Sequence, residues 1–443
     1  MLALQIVLSV ITALLLFGLS IKFVHILQLE GYRQRNFVAW LFSKRFFPAI
    51  FSLNKKAKVP LRYTPRVIRL FVAINLLAKL GSFVVSFFVH VWYLPLLALA
   101  LPVIVLLASV LMIPIEHLIK QKFIRRAQKK LFSKEHKDLI RIGIAGSFGK
   151  TTTKNILGAM LSEKYKVVTS PASFNTPMGF ARTILGELKP DTEILIMEMG
   201  ERYPGDIKEM CELFKPHHGI ITSIGAAHLK TFKTVENARK EIYELKTFVS
   251  KLNGILINGD DDIKVEEFET KLLGKHNQLN LTLCAQMARE LGVSDEQIKD
   301  AVTKIPPVPH RLEHSVAPTG VHILDDSYNS NPSGAGAALD VLLGLKNENK
   351  GSAIVMTPGM VELGEHQYFE NYNFAKKMSS IADSVIIVGD TNKEAINSGL
   401  LDSGFSREKI FHAQNIDEAK GLFPTLLKSG DVLLIENDLP DNF

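Results

Sequence analysis

Cysteine is almost missing from this 443-residue chain, with only Cys211 and Cys284 present. That scarcity excludes a disulfide framework and a Cys-rich metal site, and it points to a reducing compartment. Acidic residues are nearly missing from the first third. Residues 1–132 hold 18 of the 52 Lys/Arg but only two acids, Glu30 and Glu116, a net charge of +16. The remainder of the chain nets −9. This split excludes a uniformly basic nucleic-acid binder, and no nucleic-acid partner is expected. No internal repeat is visible. An apolar content of 47% excludes disorder, and the length calls for two or three domains.

What the first third does contain is apolar sequence. Leu2 to Leu27 is broken only by Gln5, Ser9, Thr12, Ser20, Lys22 and His25. It has no basic segment before it and no small-residue cleavage pattern after it, which favours an uncleaved span over a signal peptide. Leu70 to Ile115 is long enough to cross a bilayer twice, reversing near Trp92, Tyr93 and Pro95, with Lys79 inside it. The intervening loop carries Arg33, Arg35, Lys44, Arg45, Lys55, Lys56, Lys58, Arg62, Arg66 and Arg69 against Glu30 alone. Six more Lys/Arg follow between Lys120 and Lys130. By the positive-inside rule these features predict a multi-pass cell-membrane protein, with about three transmembrane helices in residues 1–132 and cytoplasmic catalytic domains. The lipid bilayer is then an expected partner, with Phe42, Phe46, Phe47 and Phe51 of the basic loop at anionic headgroups.

From Asp138 the pattern changes to short β-rich runs separated by helical segments, the signature of βαβ units and mainly parallel sheets. The runs are Leu139–Ala145, Ile194–Met199, Gly219–Ile224, Gly254–Ile257, Val321–Leu324, Ser352–Met356, Ser384–Val388 and Asp431–Ile435. The proline-rich stretch Lys304-Ile-Pro-Pro-Val-Pro-His310 reads as a hinge. The expected architecture is therefore α/β: transmembrane helices, a P-loop parallel-sheet ATPase domain over 138–305, and a Rossmann-like domain over 310–443. The run Arg141-Ile-Gly-Ile-Ala-Gly-Ser-Phe-Gly-Lys-Thr-Thr152 places a strand, a glycine turn and a helix in sequence. Its amides would surround phosphates, with Lys150 adding charge and Thr151 a hydroxyl ligand for Mg²⁺. The strict eight-residue P-loop requires glycine where Ile144 stands, so the match is to a shorter form beginning at Gly146. Glu198 and His228 each follow a predicted strand at the ligand edge of the sheet, where joint metal binding is the expectation.

Taken together these segments resemble the Mur ligase superfamily, most closely its MurF branch, over about residues 140–443. The markers are residues 146–152, Ser173-Phe-Asn-Thr-Pro-Met-Gly179, Glu198-Met-Gly-Glu-Arg-Tyr-Pro-Gly205, Ala227-His-Leu229 and Asn258-Gly-Asp-Asp261. Gly274-Lys-His-Asn-Gln-Leu-Asn280, His310-Arg-Leu-Glu313, Asp325-Asp-Ser-Tyr-Asn-Ser-Asn-Pro332 and Glu362-Leu-Gly-Glu365 complete the set. The resemblance implies an ATP-dependent ligase that activates a carboxylate as an acyl phosphate and joins it to an amine. It implies that Gly146, Ser147, Gly149, Lys150, Thr151 and Thr152 hold the phosphates, Lys150 at the β/γ positions. Thr151 and Glu198 would hold one Mg²⁺ and His228 a second. Asn277 and Asn280 would lie near adenine, Arg311 would reach phosphate, Asp326 would bind ribose, and Tyr328 and Asn329 would face the reaction cleft. The implied partners are a cell-envelope precursor with a free carboxylate and an amino acid or dipeptide amine donor.

The chain also departs from that pattern. Ile242 occupies the position where the family carries a carbamate-modified lysine, leaving Lys240 or Lys246 as substitutes, or a weakened second metal site. Few residues separate Asp261 from Gly274, so the central domain is trimmed. Glu436-Asn-Asp-Leu-Pro440 stands where related chains show Lys-Gly-Ser-Arg. The usual uridine-nucleotide domain has no counterpart at the front, so a lipid-linked acceptor at the membrane face is the expectation. A poly-γ-glutamate or folylpolyglutamate-type ligase is one alternative, and a catalytically impaired nucleotide-binding membrane scaffold another.

Overall fold

The computed structural model describes residues 2–42, 60–88, 100–171, 174–328 and 330–439, with side chains placed except at 2–15, 83–88 and 230. The chain divides into two compact units, residues 1–122 and 123–439.

The first unit is helical, built on Leu2–Leu29, Gln34–Leu41, Pro65–Phe88, Leu101–Leu111 and the start of Ile113–Leu131. Val24, Leu27, Phe37, Val67, Leu101 and Val105 are fully buried in one cluster. Arg69 grips Glu116 in a bidentate pair at 2.7 and 2.8 Å, using one of the two acids in this region. The multi-pass expectation is corrected here. Among the described residues no single helix is long and apolar enough to cross a membrane. The physical reasons are interruption by charge and by bending. Pro65–Phe88 contains Arg66, Arg69 and Lys79, and Leu101–Leu111 meets Ile113–Leu131 at a 41° bend. By length and composition that bent pair passes only when its two parts are taken together. The reversal at Trp92, Tyr93 and Pro95 and the loop from Lys44 to Lys58 lie outside the described residues.

The second unit is built on two sheets. The first has five strands, β1 (Ile140–Ala145), β2 (Val167–Thr169), β3 (Ile194–Glu198), β4 (His218–Ile221) and β5 (Leu256–Asn258), in the order β2-β3-β1-β4-β5. All its pairings are parallel. The second holds β6 (Glu313–Val316), β7 (His322–Asp326), β8 (Ala353–Thr357), β9 (Ser384–Val388), β10 (Ile410–Ala413) and β11 (Val432–Glu436), ordered β10-β9-β8-β11-β7-β6. Only the β6–β7 pair is antiparallel. Helices cover both faces, so the central strands read as continuous apolar runs. Ile194, Leu195, Ile196 and Met197 are all fully buried.

Parallel topology brings functional residues to one edge, because every crossover returns the chain to start each strand at the opposite end. β1, β3 and β4 all end toward that edge in the first sheet, and β7, β8 and β11 do so in the second. The central position of β11 carries a stability prediction. Leu434 is fully buried in the second sheet's core. Leu434→Ala leaves a cavity and should cost about 2–5 kcal/mol, read as a lower denaturation midpoint in urea followed by circular dichroism.

Candidate active site

The turn between β1 and the helix Lys150–Ser162 has a backbone that only glycine accommodates. Gly146 sits at φ 144° with the Thr222 hydroxyl 2.0 Å from where a Cβ would stand. Gly149 sits at φ 79°, and a Cβ there would lie 2.8 Å from Asn280 Oδ1. The Ser147 and Phe148 amides both donate to Ser223 O, at 2.9 and 3.3 Å. These two amides are therefore spent on the protein. The amides left for an anion are those of the helix's first turn, around Lys150, Thr151 and Thr152, which lack intrahelical acceptors.

Lys150 does not point into open solvent. Its ammonium donates to Gly146 O and lies 2.8 and 3.0 Å from the two oxygens of Glu201. The Glu201 side chain is 2% exposed. Burial raises the Glu201 carboxyl's pKa, while Lys150 and then His228 oppose that rise. Next along the helix, the Thr151 hydroxyl donates to Glu198 Oε2 at 2.9 Å. Lys154, buried on the following turn, places its ammonium 3.5 Å from the same oxygen, and Asn175 Nδ2 stands 3.4 Å from Oε1. Burial lowers the Lys154 pKa, with Glu198 opposing. The Thr151 hydroxyl beside a buried carboxylate is a hard oxygen donor set that suits Mg²⁺.

Other walls come from further elements. Asn277 and Asn280 lie on the helix Lys275–Glu290, are both buried, and bond to each other at 3.2 Å. His276 on the same helix has a pKa lowered by burial. From the second sheet, Arg311 lays its guanidinium over the Tyr328 ring, 4.4 Å from the centroid. Asp326, at the end of β7, accepts from the Leu312 amide at 3.1 Å. Burial pushes its carboxyl up to about 6, and the neighbouring Asp325 adds to the rise. Glu436 stands opposite it in register on β11, fully buried, with Ser330 donating to it at 2.5 Å. Burial and then the Asp326 charge raise the Glu436 carboxyl far above its ordinary value.

One cleft of about 210 Å³ joins these parts. Ser147, Gly149, Lys150, Thr151, Thr152 and Glu198 line it from the first sheet's side, with His228, Asn277 and Asn280. Arg311, Asp326 and Tyr328 line it from the other side. Gly146 lies at the base of the turn, and Asn329 lies outside the described residues, as does Ser173. Within Asp325–Pro332 the residues do two things at once: Asp326 and Tyr328 face the cleft, while Asn331 caps the helix Pro332–Asn349 by accepting from Gly334 N at 2.8 Å.

Ile242 is fully buried in an apolar cluster with Met199 and Leu245. Lys240 and Lys246 are exposed and absent from the cleft lining, the Lys246 ammonium lying 5.5 Å from the Tyr243 ring centroid. Beside Ile242, Glu241 spends both oxygens on the amides of Gly205 and Ile207, at 2.8 Å each. Glu201 and Lys154 are the partners that motif reading did not single out. Glu201 lies within the segment Glu198–Gly205, and Lys154 is one helical turn from Lys150, and these positions are the signal that the sequence carries for them.

Two family models match the chain. One, described as the Mur ligase middle domain, covers residues 144–267; the other, the Mur ligase glutamate ligase domain, covers 310–436. The chain is 28% identical over 356 residues to the UDP-N-acetylmuramoyl-tripeptide–D-alanyl-D-alanine ligase of Mycobacterium tuberculosis, covering 67% of this chain and 69% of that one. Its fold matches MurF from Acinetobacter baumannii with a TM-score of 0.60 at 21% identity, over 72% of this chain and 77% of that one. MurF ligase from Thermotoga maritima, solved in complex with ADP, also gives 0.60 at 24% identity, over 72% and 80%.

The Asp326 carboxyl sets a pH dependence. Its folded value, about 6, lies above the unfolded value of 3.8, so the folded state binds more protons between them. Stability should therefore fall as pH rises through that window. Asp326→Asn removes the effect, and its melting temperature should exceed the wild type's at pH 8, with the difference shrinking toward pH 4.

Proposed function

We propose that this chain, which belongs to the Mur ligase family and is an ATP-dependent ligase forming C–N bonds, joins the free carboxylate of a muramoyl-tripeptide-type precursor to D-alanyl-D-alanine. The observation that carries this reading is the convergence of Lys150, Thr151, Glu198 and His228 with Arg311 and Asp326 on one cleft.

The chemistry begins with two anions that repel each other. ATP brings its γ-phosphate to the first-turn amides, and Lys150 exchanges its Glu201 partner for phosphate oxygens. Thr151 and Glu198 would hold Mg²⁺, which when bound neutralises charge on the phosphates. His228 is the candidate for a second ion. The acceptor carboxylate attacks the γ-phosphorus, the bond to the β-bridging oxygen breaks, and ADP leaves with that electron pair. Amine attack on the resulting acyl phosphate gives a tetrahedral intermediate, which expels phosphate and forms the amide. The attacking nitrogen gives up its proton in the process. Arg311 would reach the transferred phosphoryl group from the second sheet, supplying fixed positive charge where negative charge develops. Asn277 and Asn280 form the adenine end and Asp326 the ribose contact in this reading, with Tyr328 toward the reacting centre.

The test is phosphate release in the presence of ATP, Mg²⁺, a muramoyl-tripeptide acceptor and D-alanyl-D-alanine, with product mass as the second readout. Release should require both acceptor and amine. Lys150→Ala should lower turnover by at least about 10²–10³-fold, the usual loss for one preorganised donor. Unchanged turnover in that variant, or release independent of the amine, would contradict the proposal.

A further inference from the structure

The loop after β8 reaches across to the first sheet's domain at Glu362, and its Gly364–His366 turn packs on the helix Leu229–Phe232. Glu362 Oε2 lies 3.0 Å from His228 Nδ1, and its Oε1 accepts from Arg202 at 2.8 Å. Arg202 and His228 follow β3 and β4, and His228 is 134 positions from Glu362 in the chain. Both ends of the contact carry left-handed backbone, with φ 50° at His228 and φ 64° at Glu362. Neither residue is glycine, so each conformation is costly and persists only where the surroundings enforce it. Such strain concentrates at ligand clamps and switch regions.

We propose that Glu362 is the positioning carboxylate of His228, so that the second cation position is complete only while the two sheet domains are together. The inference rests on the ligase reading above. With Glu362 accepting at Nδ1, the ring proton is fixed there and Nε2 becomes the lone-pair nitrogen, the tautomer a cation ligand needs. His228 lines the cleft beside Thr151 and Glu198, whereas Glu362 does not line it. Glu362 therefore acts through His228. Arg202 aims the carboxylate and balances its charge. Parting the domains breaks both contacts at once and frees the imidazole to change tautomer and orientation. The cleft volume of about 210 Å³ is below the roughly 300–1,000 Å³ of ordinary small-molecule pockets. A nucleotide thus enters with the walls apart, and the contact re-forms on closure. The number of cations held would report whether the domains have closed.

The experiment is a titration of the full chain with Mn²⁺, followed by electron paramagnetic resonance, with a non-hydrolysable ATP analogue present. The wild type should bind two Mn²⁺. Glu362→Ala should weaken the weaker ion about 10–100-fold and leave the tighter one unchanged, as loss of a ligand-orienting carboxylate does elsewhere. Glu362→Gln, whose amide oxygen still accepts from Nδ1–H, should recover most of the affinity; matching melting curves would show that the variants fold. Equal affinities in wild type and Glu362→Ala, or an equal loss at both ions, would overturn the inference. A wild type holding nucleotide with one Mn²⁺ would overturn it too, while leaving the ligase reading standing. A wild type binding neither would bring down the ligase reading itself.

Discussion

A buried charge must have a partner, and that requirement organises this site. Lys150 cannot stand alone beside the first-turn amides of its helix, so Glu201 neutralises it at 2.8 Å. One turn later Lys154 does the converse for Glu198. The site is thus held by internal ion pairs, of which Lys150 lines the cleft where phosphate charge would arrive while Lys154 stays buried behind it. An incoming polyphosphate competes for Lys150 with a carboxylate that burial already disfavours as an anion. Releasing Lys150 leaves a buried carboxylate without its partner, a cost that the phosphate charge on Lys150 has to outweigh.

The second sheet meets this arrangement with carboxyl groups of a different kind. Asp326 and Glu436 end adjacent strands in register, and both are pushed toward the protonated form. Two buried acids side by side cannot both ionise cheaply, so the Asp326 charge adds to burial in raising the Glu436 carboxyl. Arg311, held flat against Tyr328, supplies the positive charge on that wall. The Glu362 contact with His228 and Arg202 ties the two walls together.

Much of the α/β scaffold was legible because buried parallel strands are apolar on both faces. All eight runs read from the sequence correspond to strands, Ser384–Val388 with the same ends. The three strands without a prior signal, Val167–Thr169, Glu313–Val316 and Ile410–Ala413, are all edge strands. An edge strand is short and half exposed, so its apolar signal is weak. Glu201 and Lys154 escaped for another reason: their importance arises from burial beside an opposite charge, which spacing alone does not encode. The membrane reading failed on the same kind of ambiguity. The runs Leu2–Leu27 and Leu70–Ile115 read as spans because they are apolar, yet Phe23, Val24, Leu27, Leu70 and Ile74 pack into one helical cluster. Charge and a 41° bend interrupt the longer stretches.

The central claim is that the turn at Gly149 receives a polyphosphate and that Lys150 changes partner to do so. The most direct measurement is a crystal structure of the chain with Mg²⁺ and a non-hydrolysable ATP analogue. The account predicts phosphate oxygens within hydrogen-bond distance of the Lys150–Thr152 amides, with the Lys150 ammonium on phosphate and away from Glu201. Density for the nucleotide elsewhere, or an intact Lys150–Glu201 pair beneath a bound triphosphate, would contradict it.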